Sequence, residues 1–109
     1  MARSLSAIRM DFRKAKRQAD ELEDVAAAVK KLANQNLEET LKQIAANWTG
    51  DNSGKYVTKG KTLQGNIEAT AQSLEETAGA IREIAEVIYE AEMEAWERAH
   101  DHYEILNKS

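Results

Sequence analysis

With 109 residues, 15 basic and 19 acidic, the chain is sized for one domain with a modest core and carries a net charge of −4. That balance suits phosphate-rich partners poorly, so no nucleic acid is expected, and the absence of Cys excludes disulfides, thiol catalysis and Cys-type zinc sites. There is no Pro, and 42% hydrophobic content with only 6% aromatic favours long unbroken helices.

The opening residues, Met1 to Ser6, lack the apolar core of a secretory signal, and no later stretch is apolar enough to span a bilayer. Stable membrane insertion is therefore not expected, and any export would use a route without a cleaved signal. The first helix announces itself through Leu5, Ile8, Phe12, Ala15, Ala19, Leu22, Ala26 and Val29, which alternate three and four apart. The seam continues through Ala33, Leu37, Leu41, Ile44 and Trp48, with a one-residue phase slip near Ala33. The slip relaxes a strict 3.5-residue repeat towards 3.6 and predicts gentle supercoiling. The expected helix covers about 6–47.

A turn is expected at 48–53. Gly50 releases the chain at positive φ, and Asp51, Asn52 and Ser53 are suited to capping the helix that follows. Trp48 beside such a turn has two readings: a plug at the end of a helical bundle, or a surface presented to a partner.

The second helix is expected over about 54–103. Its seam is Leu63, Ile67, Thr70, Leu74, Thr77, Ile81, Ile84, Ile88, Ala91 and Ala95, with Ala71, Ala78 and Ala85 along one flank. Small residues on that flank allow close approach of another helix. Gly54, Gly60 and Gly65 each cost about 1 kcal/mol relative to Ala, so this end should be the weaker one unless packing compensates.

Two helices of roughly 60–75 Å each, at about 1.5 Å per residue, joined by a short turn must fold back on one another. The predicted fold is all-α, an antiparallel helical hairpin. Charge agrees: Arg3, Arg9, Arg13, Lys14, Lys16 and Arg17 crowd the start, whereas Glu83, Glu86, Glu90, Glu92, Glu94, Glu97, Asp101 and Glu104 crowd the end. The hairpin is expected to lay Arg13 near Glu90 and Arg17 near Glu86; the competing readings of the basic stretch are a solvated face or an anion-binding one. A lone hairpin leaves apolar surface over, with Val25, Leu32, Val87, Ile105 and Leu106 outside the main seams. A dimer completing a four-helix bundle is the expected remedy.

A chain of this length with Trp48 and Gly50 in the turn between two helices, then Tyr56 and the Leu63/Ile67/Leu74 seam, resembles the WXG-type (ESAT-like) small proteins of bacterial type VII secretion. The resemblance covers essentially the whole chain. It implies a hairpin that pairs with itself or with a related WXG-type protein, is cytoplasmic before export, and is secreted folded without a cleaved signal. It also implies engagement of a secretion ATPase, and a possible larger effector with a helical N-terminal domain as cargo. In that family the export signal usually reads Tyr-x-x-x-Asp/Glu, but here Tyr89 is followed four residues on by Met93 and Tyr103 by Asn107. Glu92, at i+3 from Tyr89, is the candidate substitute, and the competing reading of Tyr89 is boundary packing. The departure favours a role as partner to a substrate that carries its own signal.

Catalytic readings are weak. His100 and His102 lie about 200° apart on a helix, and Glu97–His100 matches di-metal spacing only once. No glycine belongs to a phosphate loop. No enzymatic activity, cofactor or metal is expected. The alternative to secretion is a cytosolic coiled-coil adaptor in which Trp-x-Gly is coincidental.

Overall fold

A computed structural model describes residues 3–108, with side chains at 3–50 and 52–101. All described residues are helical except Arg3, Ser4 and Trp48 to Gly50. Helix α1 runs Leu5–Lys31, a π-helical stretch follows at Leu32–Leu37, α2 covers Glu38–Asn47, and α3 covers Asp51–Lys108. Ser4 caps α1: its hydroxyl accepts the Ala7 N–H at 3.2 Å, satisfying a donor that has no partner inside the helix. Between α2 and α3 the chain leaves the helix at Trp48, Thr49 and Gly50. Trp48 is extended, with φ −97° and ψ 136°, while its N–H still donates to the Ile44 carbonyl at 2.9 Å. Gly50 takes φ +99°, which side chains rarely tolerate.

The turn is therefore shorter than the expected 48–53, because Asp51 already begins α3. Ser53 does not lie ahead of the helix as a cap. Its hydroxyl donates to the Gly50 carbonyl at 2.9 Å from within the first turn.

The chain divides into two compact units. The first joins Met1–Asp20 with Ala78–Ser109. In it Arg3 meets Glu92 at 3.2 Å, Phe12 stacks on Tyr89, and Arg82 meets Asp20 at 2.6 Å, so the two segments run in opposite directions. Its core is Ile8, Ala19, Ala78 and Ala85. The second unit is Glu21–Thr77. There Lys30 pairs with Glu75 at 2.6 Å, Gln64 reaches Ala33 and Glu38, and Leu41 lies on Gly60. Its core is Ala26, Ala33, Leu41 and Ala71.

Both cores are built mainly from alanine. Ala19, Ala26 and Ala33 on α1 and the π stretch, and Ala71 and Ala78 on α3, are completely buried. A methyl group is the smallest side chain that still excludes water, so alanine layers draw backbones together and leave larger side chains at the flanks. The expected flank of Ala71, Ala78 and Ala85 is therefore the centre of the buried stripe. Ile67, Leu74 and Ile81 are half-buried beside it, and Leu63, Ile84 and Ile88 are exposed.

Two further differences have physical causes. The phase slip near Ala33 is concentrated in the π stretch and not spread as gentle supercoiling, so α1 and α2 do not form one regular α-helix. The ion pairs also fall elsewhere. Arg13 does not pair with Glu90, nor Arg17 with Glu86. Arg13 follows Phe12 by one residue and Arg17 precedes Ala19 by two, which turns both away from the facing segment. Lys30, Glu75 and Arg82 each sit four residues after a buried alanine and border the seam. Exposed pairs of this kind contribute only about 0.2–1 kcal/mol each, but they select register.

Gly60 is where packing compensates for glycine's low helix propensity. A Cβ there would overlap Leu41 Cδ2 and approach its Cγ to 3.1 Å, so the bare backbone forms the socket for Leu41. Gly54 and Gly65 face open space and receive no such compensation.

Candidate functional site

Three features are candidates for recognition, and each lies within one unit. The turn comes first. Trp48 is 53% exposed and meets the Tyr56 ring edge-on, with centroids 5.6 Å apart and planes at 84°. This edge-to-face geometry suits the positive edge of one ring and the negative face of the other, and contributes about 0.5–1.5 kcal/mol beyond area burial. Tyr56 is itself exposed, so the pair is an aromatic ledge standing on the surface and not a buried plug. Gly50, which lies between the two rings in the chain, lets it turn there.

The second feature surrounds Tyr89 and Glu92, the residues singled out as a degenerate export signal. Both are engaged by the N-terminal segment. Tyr89 stacks on Phe12 with centroids 4.5 Å apart and planes at 27°. Glu92 accepts from Arg3 Nη1 at 3.2 Å, while Arg3 Nη2 pairs with Asp11. The Arg3 guanidinium is held above its ordinary pKa by its bond to Asp11 first and to Glu92 second. Lys16 lies over the outer part of this cluster, its ammonium 5.3 Å from the Phe12 ring centre. A cleft of about 180 Å³ opens beside the rings, bordered by Arg3, Ile8, Ile88 and Glu92.

The third feature is an exposed apolar face, present in each unit. In the second unit Val25 and Leu32 of the first helical run are each 50% exposed, and Leu63 of α3 is exposed as well. A groove of about 280 Å³ lies between Leu32, Asn36, Leu37 and Thr40 on one side and Leu63 and Ile67 on the other. In the first unit Ile84, Val87 and Ile88 are all more than half exposed. The side chains of Ile105 and Leu106 lie outside the described residues. Large apolar side chains thus stand exposed beside a filled core in both units.

Some residues at these places were not evident from composition or spacing. Phe12 was assigned to the seam, but its stacking on Tyr89 depends on register between segments. Trp96 stacks on His100 with centroids 5.0 Å apart and planes at 5°, a contact that their i, i+4 spacing could have flagged. Gln64 carried no sequence signal. His102 and Tyr103 have side chains outside the described residues, and among the described residues no group of three or more potential ligands is placed to hold a metal. No helix among the described residues is long and apolar enough to cross a membrane.

Comparison with protein-family models, curated proteins and solved structures finds no match to this chain.

Proposed function

We propose that this chain is a helical-hairpin interaction module of the type VII secretion kind, pairing with a second copy or a related chain to complete a four-helix bundle. One observation supports the reading above the others. The intrachain cores are made mainly of alanine, while Leu63, Ile84 and Ile88 stand 51%, 59% and 51% exposed. Large aliphatic side chains favour burial by roughly 1.5–3 kcal/mol each, so a face that leaves them in water favours association. The Trp48–Tyr56 ledge beside Gly50 supports the secretion reading over a generic coiled coil, since it presents a rigid amphipathic anchor at the turn.

In this reading the protein is made in the cytoplasm, leaves through a secretion ATPase without a cleaved signal, and accompanies a larger effector with a helical N-terminal domain. Tyr89 and Glu92 serve as the export signal, and a receptor reading both must compete with Phe12 and Arg3. That competition favours the escort role, in which the partner supplies a better signal.

Two measurements test the proposal. Sedimentation across the micromolar range should show a dimer that Ile84→Glu with Leu63→Glu converts to a helical monomer. A monomer at high micromolar concentration in the unaltered chain refutes the bundle. Export should cease when the secretion ATPase of the producing cell is removed. Retention of the chain inside cells with an intact ATPase, together with dimerisation, leaves the cytosolic adaptor reading in its place.

A further inference from the structure

The buried positions of the first helical run show where one residue has been added. Ala19, Ala26 and Ala33 follow each other at intervals of seven, and the next buried residue is Leu41, at eight. A strict heptad would bring Thr40 inward, yet Thr40 is exposed and its hydroxyl donates to the Asn36 carbonyl at 2.9 Å. The added residue is absorbed by Leu32–Leu37, the π-helical stretch between the two intervals. One residue rotates everything beyond it by about 100°. The stretch thus decides whether Leu41 or Thr40 faces Gly60, and whether Leu37 borders the apolar groove.

A π stretch inside an α-helix is uncommon and requires a local cause, because its wider turn is less favourable than the α ladder. Neither neighbour supplies a side-chain cap: Lys31 and Leu37 flank the helix boundaries without such a bond. After the stretch, the Glu38 N–H turns to the Gln35 carbonyl. The Gln64 amide comes from α3 and donates to two acceptors, one near the start of the stretch and one just past its end. It reaches the Ala33 carbonyl at 3.0 Å and Glu38 Oε2 at 2.6 Å. Ala33 is completely buried and Gln64 is half-buried, so water competes little for these bonds. Two donors on one amide therefore hold both ends of the wide turn. Beyond the stretch, Gly60 supplies a socket that accepts Leu41, and a Cβ there would force Leu41 to shift.

We infer that Gln64 is a register latch: it fixes the added residue within Leu32–Leu37 and so determines which face of α2 meets Gly60. Without the latch the extra residue is free to move along the helix, and each step it takes rotates another α2 side chain off the seam. The latch is internal to one chain and stands or falls apart from any docking partner.

The test pairs a donor-free substitution with a one-residue deletion. Gln64→Met keeps length and helix propensity but removes both donors. Deleting Asn36 removes the added residue, so that Leu41 returns to the seventh place after Ala33 and still faces Gly60 in an ordinary α-helix. Amide hydrogen exchange over residues 33–41 reads local opening, and proton contacts between the Leu41 methyls and the Gly60 Cα read register. In the full-length chain, Gln64→Met should raise exchange in this segment at least tenfold and weaken the Leu41–Gly60 contact. In the deletion background the same substitution should change exchange less than twofold and leave the contact intact. Equal effects in both backgrounds would make Gln64 an ordinary interhelical polar residue and overturn the latch. An unfolded deletion variant overturns it as well, since the register argument requires that chain to fold.

Discussion

Replacing Gly60 with alanine sets two opposing effects against each other at one position. In a free helix the change is favourable, because alanine gains roughly 1 kcal/mol over glycine in propensity. At Gly60 the new methyl would overlap Leu41 Cδ2 and lie 3.1–3.2 Å from Leu41 Cγ and Cδ1. Leu41 is only 5% exposed, so it has little free space in which to retreat. Overpacking of a filled site costs about 1–3 kcal/mol, which outweighs or cancels the propensity gain. Gly65→Ala is the internal standard: nothing lies within 4 Å of its added Cβ, and it should stabilise by about 0.5–1 kcal/mol. At about 4–8 °C of Tm per kcal/mol for a domain of this size, Gly65→Ala should melt above the unaltered chain and Gly60→Ala at or below it. Circular dichroism at matched protein concentration measures this, since association would otherwise shift both midpoints. Gly60→Ala with Leu41→Ala should lose less than the sum of the single changes, because each relieves the clash or fills the space made by the other. If Gly60→Ala raises Tm as much as Gly65→Ala, the socket does not exist and the argument from backbone proximity fails.

Ala78→Leu should destabilise by about 1–3 kcal/mol in urea denaturation, because a completely buried methyl position has no room for an isobutyl group; a neutral result would show that the alanine layers are not closely packed. A double-mutant cycle on Phe12→Ala and Tyr89→Ala should give a coupling of about 0.5–1.5 kcal/mol for the stacked rings, and zero coupling would remove the contact from the account. Trp48→Ala should leave helicity nearly unchanged while weakening partner engagement, measured by co-purification and circular dichroism on the same sample. If it melts the chain as Leu41→Ala does, Trp48 is a plug and its assignment as a recognition surface is wrong.

Helix content and the position of the chain break were legible in the sequence, since both rest on local chemistry. Three-and-four spacing of apolar residues, the absence of proline and the conformational freedom of Gly50 act within a few residues of one another. The slip near Ala33 was legible too, as an irregularity in spacing, although spacing could not say whether it would be spread over several turns or gathered into one. Trp48 beside the turn and Tyr56 after it were noted in the sequence, but their contact and exposure were not. Tyr89 and Glu92 were singled out together, but their occupation by Phe12 and Arg3 depends on a register between segments 77 to 89 residues apart.

The centre of the buried stripe belonged to tertiary structure alone. Periodicity shows that one side of α3 is apolar, and that side includes both the Leu63/Ile84/Ile88 row and the Ala71/Ala78/Ala85 row. Hydrophobicity favours the first row for the interior, whereas close backbone approach favours the second. The alanines lie innermost and the larger side chains remain outside, a choice made by the shape of the facing helix and not by anything written in α3. Gly60 illustrates the same division: as a letter it is a weak point in a helix, and only the presence of Leu41 across from it turns the missing side chain into a contact.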